Sequence, residues 1–227
     1  MPPLTIDDAL VQWNVAAEHV TAELQHRPLL LMLHGYGSFE GDLISLAPLL
    51  PDGFVCASVR APIELPPPIV NGFGWYHITE PGVPNVDVLV QSTEAVLAWL
   101  DRLDAQVPGG LGDIALMGFS QGGCMVSMLM RHRPERFAAG VICSGFIAEM
   151  DAPGDAALAQ NRPPVFWGRD EHDPIIAQRM IVPTEAWLPK HTTLTAKLYP
   201  GIEHSISREE MLDIHAFLAH TVAGASR

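Results

Sequence analysis

From residue 29 onward the chain is punctuated by short runs of consecutive apolar residues. They are Leu29–Leu33, Phe54–Val59, Asp113–Met117, Ala139–Cys143, Pro164–Trp167 and Leu194–Leu198. A strand with one covered face alternates apolar and polar positions, but several of these runs are apolar at successive positions. That pattern predicts parallel strands covered on both faces. Between the runs the period changes. Val96, Trp99, Leu100 and Leu103 recur at helical spacing, and Cys124 to Met130 is apolar nearly all round, which predicts a buried helix. Near the end, Ser207 and Glu210 form a capping box ahead of an apolar face made by Met211, Ile214, Phe217 and Leu218.

Strand, helix and strand alternating over short connections predict an α/β fold, a mostly parallel doubly wound sheet with helices on both faces. The first 28 residues are less regular, and Ala9–Trp13 with Glu18–Leu24 reads as an antiparallel hairpin or a short helix. No repeat or linker divides the 227 residues, so residues 1–227 read as a single domain with no separate cap domain. The stretch 61–84 carries prolines at 62, 66, 67, 68, 81 and 84 and reads as a stiff loop without elements of its own. A loop of this length inside a compact domain is more often functional than idle.

Composition narrows the choice of partner. Thirteen Lys and Arg against 26 Asp and Glu give 13 − 26 = −13, and clustered cation for nucleic acid or anionic lipid is lacking. The longest candidate apolar run is far short of a membrane span, and the N-terminus lacks the pattern of a signal peptide. Cys56, Cys124 and Cys143 show no paired spacing and read as reduced core residues of a cytoplasmic protein.

The candidate chemistry begins at Gly118-Phe119-Ser120-Gln121-Gly122-Gly123, directly after a predicted strand and before a predicted buried helix. Glycines two before and two after a serine permit a sharp strand-to-helix turn that leaves the hydroxyl exposed, where larger side chains collide. A serine nucleophile needs a base, and the base an orienting carboxylate, in the chain order Ser, acid, His at strand ends. Of ten histidines, only His204 has a strand before it, a capped helix after it and the required order. The acid lies in Gly168-Arg169-Asp170-Glu171-His172-Asp173-Pro174, where Asp173 and Asp170 compete and Glu171 is a weaker third. That cluster lacks a second ligand group at helical or hairpin spacing, so no metal is expected. After the first strong strand, Leu33-His34-Gly35-Tyr36-Gly37-Ser38 lets backbone approach a substrate closely. The amides of Tyr36 and Gln121 are therefore the candidate oxyanion donors, their side chains being secondary.

Taken together these residues resemble the phospholipase/carboxylesterase family of the α/β-hydrolase superfamily, which includes acyl-protein thioesterases. The matching segments are Leu33-His34-Gly35-Tyr36-Gly37, Arg60-Ala61-Pro62, Gly74-Trp75-Tyr76, the Ser120 segment, Ser144-Gly145-Phe146, Asp173-Pro174 and the His204 loop, over roughly residues 29–220. The resemblance implies an α/β-hydrolase fold and a Ser120–His204–Asp173 serine hydrolase, without a cofactor, that cleaves a small-molecule carboxylic ester or thioester. It favours Asp173 over Asp170, because an Asp followed by Pro and aliphatic residues is the family's usual acid. Two features depart from it: a longer Gly168-to-Asp173 loop, and Glu203 where the family usually has glycine. Phe73, Trp75, Tyr76 and Phe146 are candidate walls of an acyl pocket. A lactonase or peptidase with the same triad is the alternative among enzymes. A non-catalytic binding module is the alternative outside them, and such a module is expected to have lost a triad residue or an elbow glycine.

Overall fold

The computed structural model describes residues 3–80 and 83–223. Seven strands form the main sheet: β1 (Gln12–Trp13), β2 (Leu29–Leu33), β3 (Val55–Val59), β4 (Ile114–Phe119), β5 (Ala139–Cys143), β6 (Pro164–Arg169) and β7 (Thr193–Leu198). Their spatial order is β1-β3-β2-β4-β5-β6-β7, all neighbours parallel except β1 on β3. The helices are α1 (Val20–Leu24), α2 (Val86–Gln106), α3 (Gln121–His132), α4 (Asp155–Asn161), α5 (Gln178–His191) and α6 (Arg208–Thr221).

The consecutive apolar runs are explained by two cores, one on each face of the sheet. Leu29, Leu31 and Leu33 of β2 point into the core shared with α1 to α5, and Leu30 and Met32 point into the core under α6 and the 3-10 segment Leu43–Leu49. β3, β4, β5 and β6 divide their side chains in the same way, as the period of two along a strand requires. The fold is the α/β-hydrolase fold. All three cysteines are buried and free. Among the described residues no helix is long and apolar enough to cross a membrane.

Three local expectations change. Of the two N-terminal alternatives the hairpin does not form, since Gln12–Trp13 pairs with the free edge of β3, whereas the short helix does, as α1 within Glu18–Leu24. The Asn14 side chain secures this edge, donating to the Phe54 carbonyl at 3.2 Å and accepting from the Cys56 amide at 2.8 Å. The stretch 61–84 is not devoid of elements, since Ile63–Glu64 pairs with Phe73–Gly74 and Ile78–Glu80 with Val83–Pro84. Pro66, Pro67 and Pro68 fall in the turn between the first pair, where no ladder amide is needed, whereas Pro81 lies outside the described residues.

The capping box is half formed. Ser207 Oγ accepts from the Glu210 amide at 3.0 Å, but the Glu210 side chain turns into the core against Gly168. The Ser207 amide and the Cys143 thiol lie near enough to ease its charge but not to satisfy it, and both carboxylate oxygens lack a well-formed hydrogen bond. Burial pushes this carboxyl up to about 7. The folded chain thus keeps a proton that the unfolded chain releases near pH 4.5, and stability declines as pH rises from about 4.5 to about 7. Glu210→Gln is expected to remove that decline and to melt several degrees above the parent at pH 8, as thermal unfolding across pH 5 to 8 will test. Parallel pH profiles for the two proteins would refute it.

Candidate active site

The strand order places the site. The chain steps from β2 outward to β3, then crosses back to add β4 on the other side of β2, which makes the carboxyl ends of β2 and β4 a topological switch point. Leu33 pairs with Gly118, so the loop at His34 to Ser38 and the turn at Ser120 emerge side by side. Ser120 is the N-cap of α3, with φ 54° and ψ −114°, a conformation that side chains other than glycine rarely adopt. The turn is close-packed. A Cβ on Gly122 would lie 1.8 Å from the Leu33 carbonyl oxygen, and one on Gly118 would lie 2.2 Å from that of Gly122.

The parallel pair β6 and β7 ends at the same edge of the sheet, which brings the loops after Arg169 and Leu198 together. His204 Nε2 is 2.9 Å from Ser120 Oγ, and its Nδ1 is 2.7 Å from Asp173 Oδ2. The other oxygen of Asp173 accepts from the amides of Ile175 and Ile176 at 2.8 and 3.0 Å. Pro174 has no amide proton, so the carboxylate closes its turn on the next two residues. The Asp173 side chain is 4 % exposed and that of His204 is 16 % exposed, and the Phe119 ring stands 4.8 Å from the imidazole.

The four side chains of the acidic cluster diverge. Asp173 meets His204, whereas Asp170 is buried and turns to the histidine loop, accepting from the amides of Gly201 and Glu203 at 2.8 Å. Glu171 and His172 are exposed. The amides of His172 and Glu203 hold the Asp170 carboxyl below the usual carboxylate range.

At the other side of the switch point, His34 is wholly buried and locks the glycine loop. Its Nε2 accepts from the Ala61 amide at 3.1 Å, leaving the proton on Nδ1 to donate to the Gly35 carbonyl at 2.8 Å. Burial lowers its pKa, in keeping with a neutral ring. Gly37, at φ 81°, donates to the Phe73 carbonyl at 2.9 Å and fixes the far end of the loop. The Gln121 side chain has a structural role: Oε1 accepts from the Trp75 amide at 2.7 Å and Nε2 donates to the Tyr76 carbonyl at 2.8 Å. It ties the 61–84 stretch to the serine turn, a link between distant segments that no local spacing foretells.

Ser120, Gln121, His204 and Tyr36 open onto one cavity of about 250 Å³. Its apolar walls are Tyr76, Phe146, Ile78, Val83, Ile175 and Ile176. Of the four candidate walls, Tyr76 and Phe146 line this cavity. Trp75 is fully buried and donates from its indole to the His34 carbonyl, because it serves the core beneath the loop. Phe73 faces a neighbouring cleft beyond Tyr36, with the Arg60 guanidinium 4.4 Å over its ring. Ile78 and Val83, from the short ribbon in the same 61–84 stretch, belong to no motif that the sequence marks. A larger cleft of about 550 Å³ beside α5 contains none of Ser120, His204 and Asp173.

The phospholipase/carboxylesterase family profile matches residues 15–222. Acyl-protein thioesterase 1 of Kluyveromyces lactis is 28% identical over 153 residues, covering 64% of this chain and 67% of the relative. Acyl-protein thioesterase 1 of Candida albicans is 26% identical over 213 residues, covering 85% and 91%. The crystal structure of a carboxylesterase from Mesorhizobium loti superposes with a TM-score of 0.76 at 17% identity, covering 96% of this chain and 99% of that one, a likeness of fold. With the family match spanning nearly the whole chain, this protein belongs to the phospholipase/carboxylesterase family of α/β-hydrolases.

Proposed function

We propose that the protein is a serine hydrolase of short-chain carboxylic esters or thioesters, acting through an acyl-enzyme. The observation that carries this reading is the unbroken chain from Asp173 through His204 to Ser120 Oγ, ending in a small apolar cavity. His204 takes the Ser120 proton as the oxygen attacks the acyl carbon, and the amides of Tyr36 and Gln121 receive the oxyanion. The alcohol or thiol leaves with the proton from His204. Water then enters, gives its proton to His204 and attacks the acyl carbon, and the Ser120 oxygen departs with that proton. Asp173 holds the imidazole with its proton on Nδ1 and stabilises the cation that forms at each step.

The cavity of about 250 Å³ lies below the ~300 Å³ lower end of ordinary small-molecule sites, which favours short acyl groups. No cofactor enters this scheme. The test is a panel of p-nitrophenyl esters of increasing chain length with matched thioesters, lactones and anilides. Acetate and butyrate esters are expected to turn over fastest, with rates falling as the chain outgrows the cavity. Turnover of lactones or anilides without esters would replace this reading by one of its rivals, and no turnover by the folded protein would favour a binding module.

A further inference from the structure

Glu203, the residue immediately before His204, has φ 55°. Glycine takes that left-handed conformation freely, whereas a side chain with a Cβ resists it. Something must therefore hold this backbone, because the position of the next side chain depends on it. Asp170 is suited to the task. Asp170 stands one residue past the last rung of the β6–β7 ladder, and the Tyr199 amide, donating to the Arg169 carbonyl at 2.9 Å, closes the pairing just before it. Its carboxylate then reaches across to the neighbouring loop. One oxygen accepts from both Gly201 and Glu203 at 2.8 Å, and the other accepts from the His172 amide at 2.9 Å.

Three amides thus converge on a carboxylate that is 3 % exposed. Successive amides aimed into one concavity make an anion nest, and here the anion belongs to the chain itself. His172 lies in the acid loop and Gly201 and Glu203 lie in the histidine loop, so the same carboxylate fastens the two loops that carry Asp173 and His204.

We infer that Asp170 is a positioning residue, which clasps the acid and histidine loops and holds Glu203 in its left-handed conformation so that the His204 imidazole spans Asp173 and Ser120. The inference rests on the reading of Ser120, His204 and Asp173 as a hydrolase triad. It also accounts for the absence of glycine before the histidine, since the clamp enforces a shape that glycine would reach unaided.

The test compares Asp170→Asn, Glu203→Gly and the double variant by turnover of p-nitrophenyl butyrate and by amide hydrogen exchange. Asp170→Asn replaces an acceptor oxygen with a donor group that faces amide protons. Its kcat is expected to fall roughly ten- to hundred-fold, the scale set by an ångström-sized misplacement of a reacting group, with KM within about two-fold of the parent. Glycine at 203 removes the strain that the clamp opposes, so the double variant is expected to regain most of that loss. A charge effect of Asp170 on His204 would not be repaired by glycine. The Gly201 and Glu203 amides are expected to exchange at least ten times faster in Asp170→Asn, a readout that does not involve turnover.

An unchanged kcat, a loss that persists in the folded double variant, or unaltered exchange at both amides would each overturn the inference. If Asp170→Asn fails to fold, the double variant is expected to fold and act, and its failure would show instead that Asp170 serves the whole fold. A parent protein inert toward every ester would refute the hydrolase reading, leaving the amide exchange to judge the clamp by itself.

Discussion

Ser120→Ala is expected to lower kcat for p-nitrophenyl butyrate by at least about 10⁴-fold while leaving the melting temperature within a few degrees of the parent. Three features combine in that expectation. The Oγ is the atom His204 Nε2 faces at 2.9 Å, so its removal leaves the base without a proton to take. Alanine keeps a Cβ at a position already held at φ 54°, so the backbone of the turn is not further strained. The amides of Tyr36 and Gln121 would still bind a carbonyl, so residual rate above that in water is compatible with the scheme. Esterase rates and thermal unfolding of the same preparation measure both quantities. A variant that retains rates near those of the parent would remove Ser120 from the chemistry.

Gly122→Ala is expected to cause the largest loss of stability from a single methyl group. The added carbon would stand 1.8 Å from the Leu33 carbonyl oxygen and 2.7 Å from that of His34. Neither neighbour is the flexible end of a side chain. Relief therefore requires β2 and α3 to move apart where they are in close backbone contact. Overpacking of ordinary cores costs about 1–3 kcal/mol, and a backbone collision of this kind belongs at or beyond the upper end. For a domain of this size that corresponds to a melting temperature lower by roughly 6–12 °C. The same movement would displace the loop at His34 to Tyr36, so activity is expected to fall further than stability alone accounts for. Calorimetry with ester hydrolysis checks this, and a variant as stable as the parent would contradict the close packing of the turn.

Much of the fold is legible because parallel strands buried on both faces write themselves as continuous apolar runs. Leu29–Leu33 and Ala139–Cys143 are such cases, each residue with a side chain going to one core or the other. The Ser120 turn is legible because its glycines answer to sterics within a few residues. What local pattern does not carry is the identity of a distant partner. Trp13 packing on Trp99 at 6.3 Å and the pairing of β1 with β3 draw the N-terminal segment to the sheet edge. α5 contains Pro183 and Pro189, which argue against a helix locally, but Met180, Ile181, Thr184 and Leu188 are buried along it and packing prevails. By position alone Asp170 and Asp173 compete, and it is the family resemblance of Asp173-Pro174 that favours Asp173. The loop after β7 separates them physically, since it offers an imidazole to one and two amides to the other.

The most direct measurement of the central claim is covalent labelling by a serine-directed fluorophosphonate, followed by mass spectrometry of the intact protein and of its peptides. The parent is expected to take up one equivalent, located on Ser120, with uptake abolished in Ser120→Ala and strongly slowed in His204→Ala. Folded parent protein that remains unlabelled, or label placed on another serine, would contradict the account.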